Sequence, residues 1–209
     1  MRRIQAVIFD MDGVLIDARE WHYRALNRAL SHFGLTINRQ EHENGFDGLT
    51  TRDKLHRLTE RDGLPVSLHG FINELKQQYT LQEIWQHCRP VFEHQYALSC
   101  LSRQGYRLAV ASNSIRQSMD VMLERARLKS YLQFYLSNED VSQGKPDPEI
   151  YRTAIQRLEL TPDACLVVED NPHGIAAARA AGAHVLTVAS PEEVTWPRIR
   201  DFITNLEKI

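Results

Sequence analysis

The 209-residue chain is 43% hydrophobic and carries 25 Lys and Arg against 27 Asp and Glu, a formal charge of −2. That composition allows a substantial buried core, excludes disorder as the main theme and fits one or two domains. The balanced charge gives no reason to expect a nucleic acid or an anionic membrane as partner, and no apolar run approaches the roughly 20 residues needed to span a bilayer.

In chain order, residues 6–9 (Ala-Val-Ile-Phe) form a short, β-prone apolar run that stops at Asp10-Met11-Asp12-Gly13, the pattern of a fully buried strand ending in acids and a flexible glycine. The alternation of strand and helix then breaks. Asp17 and Glu20 suggest a capping-box start to a helix whose Trp21, Ala25, Leu26, Ala29, Leu30 and Phe33 share one face, with Gly34 ending it. Further helices are expected at 51–62 and 67–87, with Thr50 and Thr51 as rival N-caps for the first.

Strand-like runs resume at 106–112, 165–169 and 184–188, with a weaker one at 134–137. Helical periods lie between them: Ile115, Met119, Met122, Leu123 and Ala126, then Ile150, Tyr151, Ala154, Ile155 and Leu158, then 175–181. Asp147-Pro148 and Asn171-Pro172 place a capping side chain before a proline, and Gly182 is a C-terminal cap. The pattern predicts an α/β fold, a doubly wound, mostly parallel sheet with an inserted all-helical cap domain. The core is assigned to 1–16 and 89–209 and the cap to 17–88. Cys88, Cys100 and Cys165 are odd in number and lack metal-ligand spacing, so they read as small hydrophobes.

In such a sheet ligands bind beyond the carboxyl ends of the strands. Those ends carry Asp10 and Asp12, Ser112 and Asn113, and Glu169 and Asp170. Four clustered acids are costly unless a cation neutralises them, and an oxygen-only donor set suits Mg²⁺ with a substrate phosphate. The expectation is a Mg²⁺-dependent phosphoryl site.

Asp10-Met11-Asp12-Gly13-Val14, Ser112-Asn113, Gly144-Lys145-Pro146-Asp147-Pro148 and Glu169-Asp170-Asn171, in that order, resemble the four motifs of the haloacid dehalogenase superfamily. Asp17-Ala18-Arg19-Glu20-Trp21-His22 and the position of the insert resemble its β-phosphoglucomutase and phosphoglycolate phosphatase subfamily. The resemblance implies a Rossmann-like core, an enzyme, and a small-molecule phosphate ester as substrate, while the short apolar runs, interrupted by acids near the N-terminus, make the expected compartment the cytoplasm. The expected state is a monomer or weak homodimer. By the same resemblance Asp10 is the nucleophile that forms an aspartyl-phosphate, Asp12 is the general acid and then base, and Lys145 offsets charge beside Asp10. Ser112, with main-chain N–H groups around Asn113, holds phosphoryl oxygens; Ser112 and Asn113 also read as an N-cap for the helix near Ile115. Asp10, Asp12 (by its main-chain carbonyl), Asp170 and Glu169 (directly or through water) are the metal ligands. An aspartate at position 12 separates phosphatases and phosphomutases from the superfamily's dehalogenases.

For the cap, residues 45–54 resemble a specificity loop. Arg52 is the candidate for a distal phosphate or carboxylate, and Thr51, His22, Lys76 and, from the core, Arg116 are further substrate-binding candidates. The chain departs from the family pattern at Cys88-Arg89-Pro90-Val91-Phe92, where relatives commonly have Pro-Gly, and at Ala18, where many have a hydroxyl residue. The leading expectation is a phosphatase, with a sugar phosphomutase as the alternative and a non-catalytic phosphoryl-binding module as the remote one.

Overall fold

A computed structural model describes residues 4–208. In chain order the elements are β1 (Ala6–Phe9), α1 (Arg19–Ser31), α2 (Arg39–Glu41, continued by a π-helical turn His42–Phe46), α3 (Thr51–Asp62) and α4 (His69–His87). They continue with α5 (Phe92–Arg103), β2 (Arg107–Ala111), α6 (Arg116–Arg125), β3 (Phe134–Leu136), α7 (Glu149–Arg157), β4 (Cys165–Glu169), α8 (Pro172–Ala180), β5 (His184–Thr187) and α9 (Trp196–Leu206). The chain divides into two compact units, one formed by the segment up to Asp17 together with Arg89 onward, the other by Ala18–Cys88.

In the first unit the five strands form one parallel sheet in the order β3-β2-β1-β4-β5. β1 and β4 are buried along their whole length, which is why they read as unbroken apolar runs. On one face Ala6, Ile8, Cys165 and Val167 pack with Ile150, Tyr151, Ala154 and Ile155 of α7 and with Ala177 and Ala178 of α8. Phe9 pairs in register with Val110 and Val168, so Asp10 leaves the sheet beside the ends of β2 and β4. The loop that follows folds back on itself: the Gly13 N–H donates to Ile16 O at 2.7 Å with Gly13 at φ 89°, a left-handed conformation that glycine adopts without a Cβ clash.

The second unit is helical, with a core of Leu26, Ala29, Leu30, Ile37, Leu55, Leu58 and Ile72. Helix α1 starts on Ala18 with no side-chain cap, which corrects the expected Asp17–Glu20 box. Glu20 is drawn instead to Arg39 at 2.6 Å and Arg24 at 3.6 Å. The capping box lies at Asn38–Glu41, where Asn38 accepts from the Glu41 N–H and Glu41 accepts from the Asn38 N–H. Thr50, not Thr51, caps α3, its Oγ1 accepting from the Asp53 N–H at 3.2 Å.

Two other cap expectations change in the sheet unit. Ser112 and Asn113 do not cap α6, because the Glu139 carboxylate reaches the Arg116 N–H at 2.7 Å. Helix α7 begins at Glu149, one residue after Pro148, with Asp147 Oδ1 accepting from the Glu149 N–H. Asn171 does cap α8, with Pro172 as its first residue. Helices α5 and α9 lie in stretches to which the periodicity reading assigned no element. The three cysteines are free, and burial pushes the Cys165 thiol up to about 12, as befits a hydrophobe in the core. Among the described residues no helix is long and apolar enough to cross a membrane.

Candidate active site

The carboxyl ends of β1 and β4, the turn after β2 and the loop before α7 bring the four motif segments together. Lys145 is the hub. Its Nζ donates to Asp10 Oδ1 and to Glu169 Oε1, both at 2.6 Å, and all three side chains are buried. The loop that carries Lys145 is fixed by Asn113, whose Oδ1 accepts from the Lys145 N–H at 3.0 Å and whose Nδ2 donates to the Lys145 carbonyl at 3.2 Å. The Lys145–Pro146 peptide is cis.

Glu169 is held on both oxygens. Oε1 accepts from Lys145 and from the Tyr151 hydroxyl at 2.7 Å, and Oε2 accepts from the Asp170 and Asn171 N–H groups at 2.9 and 3.1 Å. The carboxylate lies so close to α8 that a Cβ on Gly174 would sit 1.7 Å from Oε1. A glycine in the first turn of a helix, costly by about 1 kcal/mol relative to alanine, is explained by that approach.

Asp10, Glu169 and Asp170 each offer a carboxylate oxygen within 4.8 Å of the others. Burial, then the negative charges of Glu169, Asp170 and Asp12, push the Asp10 carboxyl well above its ordinary range, with Lys145 opposing. Burial alone would lower the Lys145 pKa, yet Asp10 and Glu169 outweigh it and hold the ammonium above its usual value. With all three carboxylates ionised, the single ammonium leaves an excess of two negative charges. An oxygen-only group with that excess fits a hard divalent cation.

The Asp12 carboxylate is directed elsewhere. Its Oδ2 accepts from Ser114 Oγ at 2.7 Å and Ser112 Oγ at 3.1 Å, while Ser112 Oγ also accepts from the Ser114 N–H. Two hydroxyls thus orient an acid next to the buried charge cluster.

The structure brings Asp10, Asp12, Ser112, Asn113, Lys145, Glu169 and Asp170 together in one constellation. Ser114, Tyr151 and Gly174 were missed. Ser114 directly follows the second motif, Tyr151 was taken as part of an apolar helix face, and the signal for Gly174 was a glycine inside a helical stretch. The guanidinium of Arg116, the substrate-binding candidate from the core, is paired with Asp140 and lies over the Tyr135 ring, 5.3 Å from its centroid.

Within the helical unit, Lys76 Nζ and His22 Nδ1 lie 3.2 Å apart, and both Lys76 and Lys54 are buried. Thr51 opens α3 and is half-buried, whereas the Arg52 side chain is largely exposed, its Nε 4.0 Å from Asp53. Burial and the nearby Lys54 charge lower the His42 pKa to about 4.

A profile of haloacid dehalogenase-like hydrolases matches residues 7–188. The chain belongs to that family, and it is an enzyme. It is 27% identical over 187 residues to a phosphorylated carbohydrates phosphatase of Thermotoga maritima, covering 86% of this chain and 82% of that one. It is 28% identical over 200 residues to the CbbY protein of Rhodobacter capsulatus, covering 92% and 87%. In fold it matches a β-phosphoglucomutase of Clostridium difficile with a TM-score of 0.85 at 20% identity, over 99% of this chain and 100% of that one. The expected α/β architecture is the one observed.

Proposed function

We propose that this enzyme is a Mg²⁺-dependent phosphatase acting on a small phosphate monoester, a sugar phosphate or related metabolite. The observation that carries the reading is the buried Asp10–Lys145 pair set among acids at the strand ends, a carboxylate with an ammonium 2.6 Å away. The phosphatase at 27% identity supports the same choice of chemistry. Asp10 and Asp170 would hold the ion by their carboxylates, Asp12 by its main-chain carbonyl, and Glu169 directly or through water. When bound, Mg²⁺ neutralises charge on the transferring phosphoryl oxygens.

Asp10 attacks phosphorus, and the ester P–O bond breaks as Asp12 gives its proton to the leaving oxygen. Asp12 then takes a proton from water, whose oxygen attacks the aspartyl-phosphate and releases phosphate and the Asp10 carboxylate. Ser112 and main-chain N–H groups near Asn113 hold the phosphoryl oxygens, and Lys145 offsets the charge that gathers there. In the helical unit His22 and Lys76, with Thr51 and Arg52, are assigned to the rest of the substrate. The enzyme is read as cytoplasmic, a monomer or weak homodimer, with neither nucleic acid nor membrane as partner.

Phosphorus NMR on the purified protein with Mg²⁺, a sugar bisphosphate activator and a panel of sugar and short-acid phosphates tests this. Free phosphate as the main product supports hydrolysis. Conversion of one ester into its positional isomer with little free phosphate establishes the phosphomutase alternative instead. Full turnover by Asp10→Asn refutes the assigned nucleophile under either reading.

A further inference from the structure

The Tyr151 hydroxyl is the one donor at Glu169 that the four motifs do not supply. Tyr151 is among the largest fully buried side chains, and a buried phenol hydroxyl needs a partner. It meets Glu169 Oε1 at 2.7 Å, while the same ring presents its face to Lys145, Nζ lying 4.8 Å from the centroid. One side chain thus touches both members of the Lys145–Glu169 pair, by its edge oxygen and by its π face. A carboxylate offers about four acceptor positions, and Glu169 fills them with Lys145, Tyr151 and the Asp170 and Asn171 N–H groups.

We propose that Tyr151 is a positioning residue that fixes Glu169 as the second anchor of Lys145, leaving the metal to the Asp10 and Asp170 carboxylates and the Asp12 main-chain carbonyl in the site proposed above. The inference rests on that reading and narrows it. Glu169 has no acceptor position left for a cation, so its charge aims the ammonium at Asp10 instead. Without the hydroxyl, Oε1 keeps Lys145 as its single donor, and Glu169 directs the ammonium less firmly.

The test is Tyr151→Phe, which keeps the ring and its face toward Lys145 and removes one oxygen. Manganese titration by calorimetry is compared with kcat and KM on p-nitrophenyl phosphate at saturating Mg²⁺, and unfolding is followed by circular dichroism. The expected variant unfolds cooperatively, binds Mn²⁺ within about twofold of the parent with KM unchanged, and turns over roughly tenfold more slowly. A lower melting temperature with kcat unchanged overturns the proposal in favour of simple packing. Mn²⁺ binding weakened tenfold or more, with kcat restored by excess metal, overturns it by making Glu169 a ligand. If the parent protein cleaves neither this ester nor any of the panel, the phosphatase reading alone fails, and the Mn²⁺ titration still judges the placement of Glu169.

Discussion

Replacing Gly174 by alanine tests how rigidly the acidic centre is built. The new Cβ would lie 1.7 Å from Glu169 Oε1, 2.1 Å from Cδ and 2.5 Å from Oε2. Ordinary contact begins near 3.4 Å, so the carboxylate has to move by about 1.7 Å. The far end of a free glutamate would make such a move at little cost. Here it is held by four hydrogen bonds of 2.6–3.1 Å, which cannot all survive the displacement. Losing two of them, at about 1.5–3 kcal/mol each for bonds to a charged group, costs about 3–6 kcal/mol. Alanine's better helix propensity returns about 1 kcal/mol, leaving a net destabilisation of about 2–5 kcal/mol. Urea denaturation of Gly174→Ala in metal-free buffer reads that number, with a parallel fall in turnover as Lys145 is displaced. The decisive comparison is the same change made in Glu169→Ala, where the obstacle is gone and Gly174→Ala should be neutral or stabilising by about 1 kcal/mol. Equal losses in both backgrounds, or a Gly174→Ala protein within about 0.5 kcal/mol of the parent, would refute the reasoning.

Two further outcomes follow from the charges. Lys145→Met leaves Asp10 and Glu169 buried without their ammonium, and should lower stability by about 3–5 kcal/mol and abolish turnover. Urea midpoints with chelator and with Mg²⁺ check it, and the loss should shrink when a cation is present. His42 is the second case. Its pKa of about 4 lies below the ordinary 6.5, through burial first, then the charges of Lys54, Arg39 and His22, with Asp47 opposing. The unfolded chain therefore binds the proton first, and stability falls as pH drops from about 6.5 to 4. The full shift corresponds to at most about 3.5 kcal/mol, reduced by solvent screening to about 1–2 kcal/mol. His42→Gln should remove that part of the pH dependence of the unfolding free energy, and parallel curves for the two proteins would refute it.

How much of this was legible beforehand follows from the range over which each interaction acts. β1 and β4 are buried on both faces, so their apolar runs are local and the acids that end them stand out. Because parallel register aligns Phe9 with Val110 and Val168, the residues just past those strands had to meet. The failed helix starts share another cause. Glu20, Ser112 and Asn113 have capping side chains at plausible spacing, but Arg39, Asp12 and the Lys145 backbone, 19, 100 and 32 residues away, compete for them. Local capping rules count only the neighbours in sequence, and a long-range ionic or buried partner prevails. α9 was lost differently, since Trp196, Ile199, Ile203 and Leu206 repeat at helical spacing but follow the last strand that the alternation leads one to seek.

Tyr151 shows why a correct element assignment can still conceal function. Its place on the apolar face of α7 was legible, and that face does pack against β1 and β4. The periodicity that buries the ring also carries its hydroxyl to the end of β4, where Glu169 is the last strand residue. A phenylalanine would satisfy the same helical pattern equally well. The difference between the two is one oxygen, whose value depends on a carboxylate 18 residues away that already faces Lys145 and two main-chain donors. Sequence periodicity specifies the side of the helix, and only the filled set of acceptor positions on Glu169 gives the hydroxyl its consequence.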